Sequence, residues 1–443
     1  LEPFVEMNPV LLKPTGNSCS QVVLMGRPVG NMSAKEYHQG YSLKAFAFVK
    51  KALKVLDAQY DTIVIEGAGG PAEVNLKAND IVNMRVAKYL QAPVLLIADI
   101  DRGGALASLV GTLELLDEDE RALVKGLVIN KFRGDVTLLQ PAIEFLEKKT
   151  GKPVLGIIPH IEQLGIDDED SVSLEEKQSI PSSRDIRIAV IQTPKISNFT
   201  DFDCLAGEQD VSLYYVQDAQ SLGTPDLILL PGSKNTTEDM LYIRNSGLEQ
   251  QIKAAVERGT PLIGICGGYQ MLGEEICDPH HTESSHDAVR GLGLLGMKTI
   301  FAAAKLTSQV TAECSGLRFL QQEIHAKELQ GYEIHMGKTE FTLEGQSHPF
   351  CITQRSGEDC KVTEGTVRED GLVFGTYIHG IFDHDEFRRA VLNAVRVRKG
   401  LPALQNMRNV KAEKQQSYNK LADIVREHLD MDKLREIMGE TEK

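Results

Sequence analysis

A cysteine lies in a glycine-rich turn between a predicted strand and a predicted helix. The string is Gly264-Ile265-Cys266-Gly267-Gly268, and the apolar run Pro261–Cys266 leads into it. Small residues on both sides of a nucleophile allow a sharp turn that raises its side chain at the carboxyl end of a sheet. The following helix N-terminus lowers a thiol pKa and offers backbone N–H groups to an oxyanion. A buried cysteine at a glycine-rich strand end is the alternative, and the short motif alone leaves both open.

Two further segments favour the chemical interpretation. Pro231-Gly232 follows the apolar strand Leu227–Leu230, where the turn could donate a second oxyanion N–H. His379 follows the later strand Val373–Ile378, where it could meet the cysteine as a base. A thiol needs such a partner to become a thiolate near neutral pH. The pattern therefore indicates Cys266 as nucleophile and His379 as base, with backbone N–H groups of the two turns as candidate oxyanion donors.

Apolar runs of strand length recur along the chain with helical patterns between them. The predicted strands of the first half are Thr62–Glu66, Pro93–Ala98, Lys125–Asn130 and Val154–Pro159, and those of the second are Ile186–Ile191, Leu227–Leu230, Pro261–Cys266 and Val373–Ile378. Helical patterns cover Ser42–Ala58, Asp80–Gln91 and the chain from about Asp385 onward. Continuous apolar strands with helical crossovers predict parallel sheets covered on both faces. The predicted fold class is α/β, with two domains and a helical C-terminal tail.

A polar and acidic stretch, Asp167–Arg184, separates the two series and is predicted to be a linker. The predicted domains are therefore residues 1–180, residues 185–384 and a helical C-terminal extension over residues 385–443.

The composition excludes several classes of function. The chain has 443 residues and a formal net charge of −15, so a nucleic-acid partner and an anionic membrane surface are both disfavoured. No apolar run approaches the roughly 20 residues of a membrane span. Seven cysteines without a CxxC pair indicate reduced thiols and a cytoplasmic location. The histidines of the polar loop, His280, His281 and His286, match no standard zinc spacing, and a solvated loop is favoured.

The second half resembles a known family. Residues 186–384 are similar to the class I glutamine amidotransferases, in which the cysteine forms a glutamyl thioester and ammonia is released. The resemblance assigns Cys266 and His379 as nucleophile and base, and Gly232 and Gly267 as oxyanion donors. Many members carry Glu two residues after the histidine, whereas this chain has Ile381. The third member of the triad is therefore absent or supplied elsewhere.

The first half carries a second resemblance. Glu66 is followed by the glycine-rich turn Gly67–Gly70, as in the dethiobiotin-synthetase-like P-loop proteins, where the matching Glu holds magnesium. Asn130 follows a strand, as does the adenine-reading Asn of that family, and Asp99–Gly104 fits its strand-end loops. The resemblance thus implies ATP and Mg²⁺, with Glu66 as metal ligand, Asn130 as nucleotide contact and Asp80 as a further acid.

Motifs along nearly the whole chain, in the same order, resemble the cobyric acid synthase family. They are Met7–Pro14, Asn75–Asn83, Asp99–Gly104, Asn130–Asp135, Gly331–Gly337 and Tyr377–Asp383. The family uses ATP and glutamine-derived ammonia to amidate the b, d, e and g carboxylates of adenosylcobyrinic acid a,c-diamide. This resemblance predicts a glutamine-hydrolysing carbon–nitrogen ligase of cobalamin biosynthesis, with glutamine and that corrinoid as partners. A cysteine hydrolase and a regulatory glutaminase-like protein without synthetase activity are the alternatives.

One expected motif is missing. No string of the form G-x-x-x-x-G-K-[ST] occurs in the sequence, and Gly331–Thr339 has five residues between its glycines instead of four. The backbone and lysine of such a loop hold the β- and γ-phosphates of ATP. We therefore expect weak ATP binding, and we expect, from the missing loop and the start at Leu1, that the chain lacks an N-terminal segment. A relative that no longer hydrolyses ATP is the other interpretation.

Overall fold

The structure is a computed structural model that describes residues 3–16, 19–162, 164–166 and 184–439. Its contacts divide the chain into a first unit, residues 1–165 with 415–443, and a second unit, residues 166–414. The segment 385–443, which the sequence analysis set apart, is thus shared between the two units. Most of the predicted linker, residues 167–183, lies outside the described residues.

The strands are short except for one long hairpin in the second unit. They are β1 (Val10–Gly16), β2 (Cys19–Leu24), β3 (Arg27–Ser33), β4 (Val94–Asp99), β5 (Val124–Phe132), β6 (Val154–Pro159), β7 (Ile186–Ile191), β8 (Ile196–Ser197), β9 (Val211–Val216), β10 (Leu227–Leu230), β11 (Gly232–Ser233), β12 (Leu262–Ile265), β13 (Glu275–Cys277), β14 (Ala288–Arg290), β15 (Met297–Phe319), β16 (Gln322–Phe341), β17 (Phe350–Arg355), β18 (Glu358–Glu364), β19 (Thr366–Val367) and β20 (Val373–Thr376).

The α-helices are α1 (Ala34–Glu36), α2 (Ser42–Asp57), α3 (Met84–Leu90), α4 (Ala105–Leu115), α5 (Glu118–Leu123), α6 (Gln140–Thr150), α7 (Asp203–Ala206), α8 (Thr236–Asn245), α9 (Leu248–Glu257), α10 (Gly267–Leu272), α11 (Asp385–Arg398), α12 (Val410–His428) and α13 (Met431–Met438). Single 3-10 turns cover Val5–Met7, Lys77–Asn79, Val136–Leu139, Phe199–Phe202 and Ile381–Asp383, and a π-helical turn covers Tyr37–Tyr41.

The first unit contains a parallel sheet in the order β4-β5-β6 and an antiparallel sheet in the order β1-β2-β3. Helix α2 buries Ala45, Val49, Ala52 and Leu56, which recur every three to four residues and so form one apolar face. That spacing explains why the sequence predicted this helix at almost the observed bounds.

The predicted strand Thr62–Glu66 is wrong, because these residues are not in a strand. Val64 is 92% exposed and Ile65 is 42% exposed. A strand forms only where a neighbouring strand accepts its backbone hydrogen bonds, and no described strand pairs with this run. The run is β-branched and apolar, but here it follows an extended, solvent-exposed path into Gly67.

The second unit is built on a sheet in the order β19-β20-β12-β10-β7-β9. Its strands from β20 to β9 run parallel, and the residues of β10 and β12 are all buried, as expected for strands covered on both faces. In the register of β12 and β20, Ile265 lies opposite Thr376. This register brings the ends of the two strands that precede Cys266 and His379 to the same edge of the sheet.

A second sheet of this unit, in the order β14-β13-β15-β17-β18 with β16 paired to β15, was not predicted. Its hairpin β15–β16 carries the Gly331–Gly337 motif beside β20, where Tyr332 and His379 form a backbone bridge. The predicted α/β fold with two mostly parallel domain sheets is confirmed by this architecture. Within the described residues, no helix has both the length and the apolar character of a membrane span.

Candidate active site

The backbone at Cys266 turns sharply between β12 and α10. Cys266 has φ 50° and ψ −107°, a conformation that L-residues rarely adopt. A Cβ atom on Gly268 would lie 2.0 Å from the carbonyl oxygen of Leu230, and one on Gly264 would lie 2.7 Å from the Gly268 backbone. Only glycine fits at either position. The close approach of β10 to the turn therefore fixes the strained cysteine at the carboxyl edge of the sheet.

Cys266 is buried beside the hairpin strand β16. The residue is 6% exposed, and its Sγ lies 3.5 Å from the carbonyl oxygen of Ile334 in β16. Its backbone N–H donates to the Thr376 carbonyl at 2.8 Å, which ties the turn to the neighbouring strand. The thiol thus lies between the end of β20 and the hairpin strand β16.

His379 follows β20 and is 1% exposed. The charge of Cys266 acts on its imidazole, and its buried Nε2 accepts or donates no hydrogen bond among the described residues, which leaves this nitrogen available to the reacting atoms. Burial by itself lowers the pKa of His379, but the charges of Asp201 and the Cys266 thiolate raise it, and the pKa is about 10. The imidazole is therefore protonated at neutral pH, and an imidazolium is the partner that stabilises a thiolate.

Asp201 completes this pair, and the sequence analysis missed it. Its Oδ2 accepts a hydrogen bond from Nδ1 of His379 at 2.7 Å, and its Oδ1 accepts one from the Gly380 N–H at 2.9 Å. Asp201 lies on the 3-10 turn Phe199–Phe202 and is 5% exposed. The structure thus brings a carboxylate to His379 from a segment far away in the chain. Ile381 occupies the position two residues after His379 at which many amidotransferases carry the Glu of the triad.

An aromatic ring also packs against the face of the His379 imidazole. Tyr332 of β16 stacks on His379 with ring centroids 4.9 Å apart and an interplanar angle of 13°. Asn198 donates a hydrogen bond to the Tyr332 hydroxyl, and the backbones of Tyr332 and His379 exchange two hydrogen bonds. The segment Ser197–Asp203 and strand β16 together fix the ring in one orientation.

The Pro231-Gly232 turn packs directly against the elbow. A Cβ atom on Gly267 would lie 2.8 Å from the Ser233 nitrogen, and one on Gly232 would lie 3.1 Å from Cε1 of His379. The turn that carries Gly232 and the helix start that carries Gly267 are therefore neighbours, as an oxyanion site requires. Their role as oxyanion donors remains a prediction.

A buried carboxylate holds the Gly232 turn in place. Asp239 of α8 is fully buried and accepts hydrogen bonds from Ser233 Oγ at 2.6 Å, Thr193 Oγ1 at 2.7 Å and the Lys195 N–H at 3.0 Å. Burial raises the pKa of Asp239 although these hydrogen bonds oppose the shift. The turn is thus anchored on both sides of the strand pair β8–β11.

The polar loop Pro279–His286 is anchored rather than free. Asp278 accepts four hydrogen bonds from Thr282, Glu283 and Ser284. Glu283 Oε2 accepts from the Thr236 N–H at 3.0 Å, at the start of α8. The three histidines of the loop are exposed, and no group of three or more potential metal ligands exists among the described residues.

The predicted synthetase residues lie in the first unit. Glu66 is exposed in the loop that replaces the predicted strand. Asp80 accepts backbone hydrogen bonds from Val82 and Asn83 on Oδ1 and from Arg85 on Oδ2, and so caps the start of α3. Both oxygens of Asp80 are therefore engaged in local structure, and its role as a further acid remains a prediction.

Asn130 lines a cavity of about 370 Å³ at the carboxyl end of the β4-β5-β6 sheet. Lys131 and His160 supply further polar groups to its lining, and apolar side chains of β4 to β6, of residues 161 and 164, and of residues 421–429 supply the rest. Asp99, at the end of β4, pairs with Lys131 at 2.9 Å. The volume and mixed lining suit a flat heterocycle held by a few polar contacts.

Comparison with known proteins agrees with this geometry. Residues 187–387 match the family described as CobB/CobQ-like glutamine amidotransferase domain, and residues 19–167 match an AAA domain. The second unit therefore carries a glutamine amidotransferase domain, as predicted.

Similarity to curated proteins extends over nearly the whole chain. The cobyric acid synthase of Moorella thermoacetica is 52% identical over 438 residues, which cover 99% of this chain and 84% of that protein. The cobyric acid synthases of Pelotomaculum thermopropionicum and Carboxydothermus hydrogenoformans are 49% and 48% identical, cover 99% of this chain, and are themselves covered to 84% and 86%. The chain belongs to the cobyric acid synthase family.

Proposed function

We propose that the chain is a glutamine-hydrolysing carbon–nitrogen ligase that amidates corrinoid carboxylates in cobalamin biosynthesis. Its proposed acceptor is adenosylcobyrinic acid a,c-diamide, amidated at the b, d, e and g carboxylates. The Cys266–His379–Asp201 arrangement carries the proposal, because it supplies a nucleophile, a proton donor and an orienting carboxylate in a chain that belongs to this family. Neither the comparisons nor the described residues favour a cysteine hydrolase or a regulatory protein.

The first half-reaction takes place at the sulfur. The thiolate of Cys266 attacks the side-chain amide carbon of glutamine, and the N–H groups of Gly232 and Gly267 stabilise the oxyanion. His379 Nε2–H gives its proton to the amide nitrogen as the carbon–nitrogen bond breaks. Ammonia leaves, and a glutamyl thioester remains on Cys266. Asp201 keeps Nδ1 protonated, so that Nε2 faces the reacting atoms.

The second half-reaction restores the thiol. Water loses a proton to the now neutral Nε2 of His379 and adds to the thioester carbon. The carbon–sulfur bond breaks, the Cys266 thiolate re-forms beside the imidazolium, and glutamate leaves. The stacked Tyr332 and the Asp201 carboxylate hold the ring through both steps, so the same nitrogen serves as donor and acceptor.

The synthetase half-reaction belongs to the first unit. ATP, when bound, activates the acceptor carboxylate so that ammonia can displace the activating group. Asn130 would hold the nucleobase in the cavity that it lines with Lys131 and His160. Substituting Asn130 by Ala is expected to raise the KM for ATP and leave glutamine hydrolysis unchanged.

Glu66 remains the proposed ligand of magnesium. Glu66 is exposed, both carboxylate oxygens of Asp80 accept backbone N–H groups, and the described residues contain no cluster of three metal-ligating side chains. The side chains of the described residues thus form no complete metal site of their own.

The decisive experiment follows the transfer of the amide nitrogen from glutamine to the corrinoid. The full chain is incubated with amide-labelled [15N]glutamine, ATP and adenosylcobyrinic acid a,c-diamide, and glutamate and labelled corrinoid amide are measured by mass spectrometry. We expect glutamate release by the chain and its loss in Cys266→Ala, with ammonia-dependent amidation kept in that variant. Glutamate release that survives in Cys266→Ala, or corrinoid left unamidated at saturating ATP when both glutamine and ammonia are supplied, would contradict the proposal.

A further inference from the structure

The proposed chemistry leaves one buried acid next to the site without a role. Glu364 is the last residue of β18 and is 6% exposed. Its Oε2 accepts a hydrogen bond from Thr376 Oγ1 at 2.5 Å, and its Oε1 accepts one from the Tyr377 N–H at 2.6 Å. A buried carboxyl without sufficient partners is strongly destabilising, so these bonds fix its position.

Thr376 is bonded to both catalytic segments. Its carbonyl accepts the Cys266 N–H at 2.8 Å, and its Oγ1 accepts the Ile378 N–H at 3.0 Å. Ile378 directly precedes His379 in the chain, and Thr376 lies opposite Ile265 in the sheet register. A single residue thus ties the strained elbow to the turn that carries the imidazole.

We propose that Glu364 and Thr376 are positioning residues for glutamine hydrolysis, which hold the Cys266 elbow and the His379 turn at reacting distance. The inference rests on the proposed function and extends it to residues that do not touch glutamine. Glu364 acts through the Thr376 hydroxyl, and Thr376 acts through the backbone.

An ionised Glu364 can accept both of its hydrogen bonds at once. The Thr376 hydroxyl accepts the Ile378 N–H and has one proton, which it donates to Glu364. A protonated Glu364 has to donate its own proton, and the neighbouring acceptor is that same hydroxyl. The hydroxyl then has to turn its own proton away from Glu364, and this turn changes the alignment of its lone pairs with the Ile378 N–H. Protonation of Glu364 therefore loosens the His379 turn.

The charged and titratable groups around Glu364 come from three elements. Glu333 of β16 faces it and is itself paired with Arg355, and Tyr269 of α10 and Tyr377 lie beside it. Burial, followed by the repulsion from Glu333, raises the pKa of Glu364 to about 7 against the opposing hydrogen bonds. Glutamine turnover is therefore expected to fall as the pH drops through about 7.

The first test separates the effect of the Thr376 hydroxyl from the effect of the shape of the side chain. Thr376→Val keeps the volume and removes the hydroxyl, Thr376→Ser keeps the hydroxyl, and Thr363→Val is a matched control at an exposed position of β18. We expect kcat for glutamate release to fall roughly 10- to 100-fold in Thr376→Val, since small misplacements of reacting groups have effects of that size. The KM for glutamine stays unchanged, and Thr376→Ser and Thr363→Val stay within about 3-fold of the starting kcat, because neither removes the hydroxyl at position 376.

The second test uses pH. Glu364→Gln removes the ionisation, so its kcat is expected to be low and constant between pH 6 and 8, where the unsubstituted chain rises. The inference would be overturned if kcat fell equally towards low pH in Glu364→Gln and in the unsubstituted chain, or if Thr376→Val kept full activity.

A third measurement does not depend on glutamine. The rate at which iodoacetamide alkylates Cys266, followed by peptide mass spectrometry, reports the thiolate that His379 stabilises. We expect slower alkylation of Cys266 in Thr376→Val and in Glu364→Gln than in the unsubstituted chain at pH 8. If the unsubstituted chain releases no glutamate, the proposed function fails. Equal alkylation rates would overturn the positioning role itself.

Discussion

Replacing Asp201 by Asn tests the carboxylate that orients the imidazole of His379. The carboxylate accepts one hydrogen bond from His379 Nδ1 and one from the Gly380 N–H. An amide has only one accepting oxygen, so one of these donors then faces an NH₂ group. Either Nδ1 loses its proton to satisfy the amide, which leaves a neutral imidazole without the positive charge that the first half-reaction uses, or Gly380 loses its partner and the turn shifts.

The magnitude follows from the charge that is lost. Asp201 is the main group that raises the pKa of His379 against burial, so without its charge the imidazolium form of His379 becomes less populated at neutral pH. Loss of the orienting acid in a nucleophile–histidine–acid triad reduces kcat by up to about 10⁴-fold in the well-studied serine enzymes. A thiol is more easily ionised than a serine hydroxyl. We therefore expect a fall of roughly 100- to 1,000-fold, which corresponds to about 3 to 4 kcal/mol of transition-state stabilisation.

The assay measures glutamate release across a range of glutamine concentrations and pH values. Asp203→Asn is the matched control, because Asp203 lies two residues further along the same segment, whereas the carboxylate bonded to His379 Nδ1 and the Gly380 N–H is that of Asp201. The KM for glutamine is expected to change little in Asp201→Asn, since the carboxylate acts through the imidazole. A kcat within 3-fold of the unsubstituted chain would refute the assignment of Asp201, and an equal loss in Asp203→Asn would show a general disturbance of the segment.

Three further predictions concern the support of the same site. Tyr332→Leu removes the stacked ring and is expected to lower kcat for glutamate release about 10-fold, whereas Tyr332→Phe keeps the stack and most of the activity. Gly268→Ala places a methyl group 2.0 Å from the Leu230 carbonyl and is expected to reduce the free energy of unfolding by about 1 to 3 kcal/mol, measured by urea denaturation. The pKa of His379 rises from 6.5 to about 10 on folding, so its contribution to stability is complete below pH 6.5 and is lost as the pH rises through about 10. His379→Gln is expected to flatten this part of the urea-stability profile, and an unchanged slope would contradict the raised pKa.

The sequence predicted the strands that are buried on both faces. Leu227–Leu230 and Ile186–Ile191 are continuous apolar runs, and the structure places them at the centre of the main parallel sheet with the same bounds. The elbow at Cys266 could also be predicted from the sequence. Its glycines are required by the close approach of the turn to the backbone of Leu230, and they leave a recognisable local pattern. Local composition is therefore enough to predict a structural element when the residue types of that element are determined by burial or by a close backbone approach.

The failures have a common physical cause. Thr62–Glu66 has the composition of a buried strand, but whether such a run pairs depends on a partner strand, which composition does not reveal. Asp201 meets His379 across 178 positions of the sequence, and nothing in the string around Asp201 marks it as a partner of a histidine. Contacts between distant segments are set by the fold, and so the third member of the triad emerged only from the structure.

The most direct test of the central claim is to identify the atom that glutamine reaches. The full chain is treated with a glutamine-analogue electrophile such as 6-diazo-5-oxo-norleucine, and the modified peptide is located by mass spectrometry with and without excess glutamine. The account predicts one adduct on Cys266, protection by glutamine, and loss of glutamate release in proportion to labelling. Labelling of any other cysteine in place of Cys266, or glutamate release that persists when Cys266 is fully modified, would contradict it.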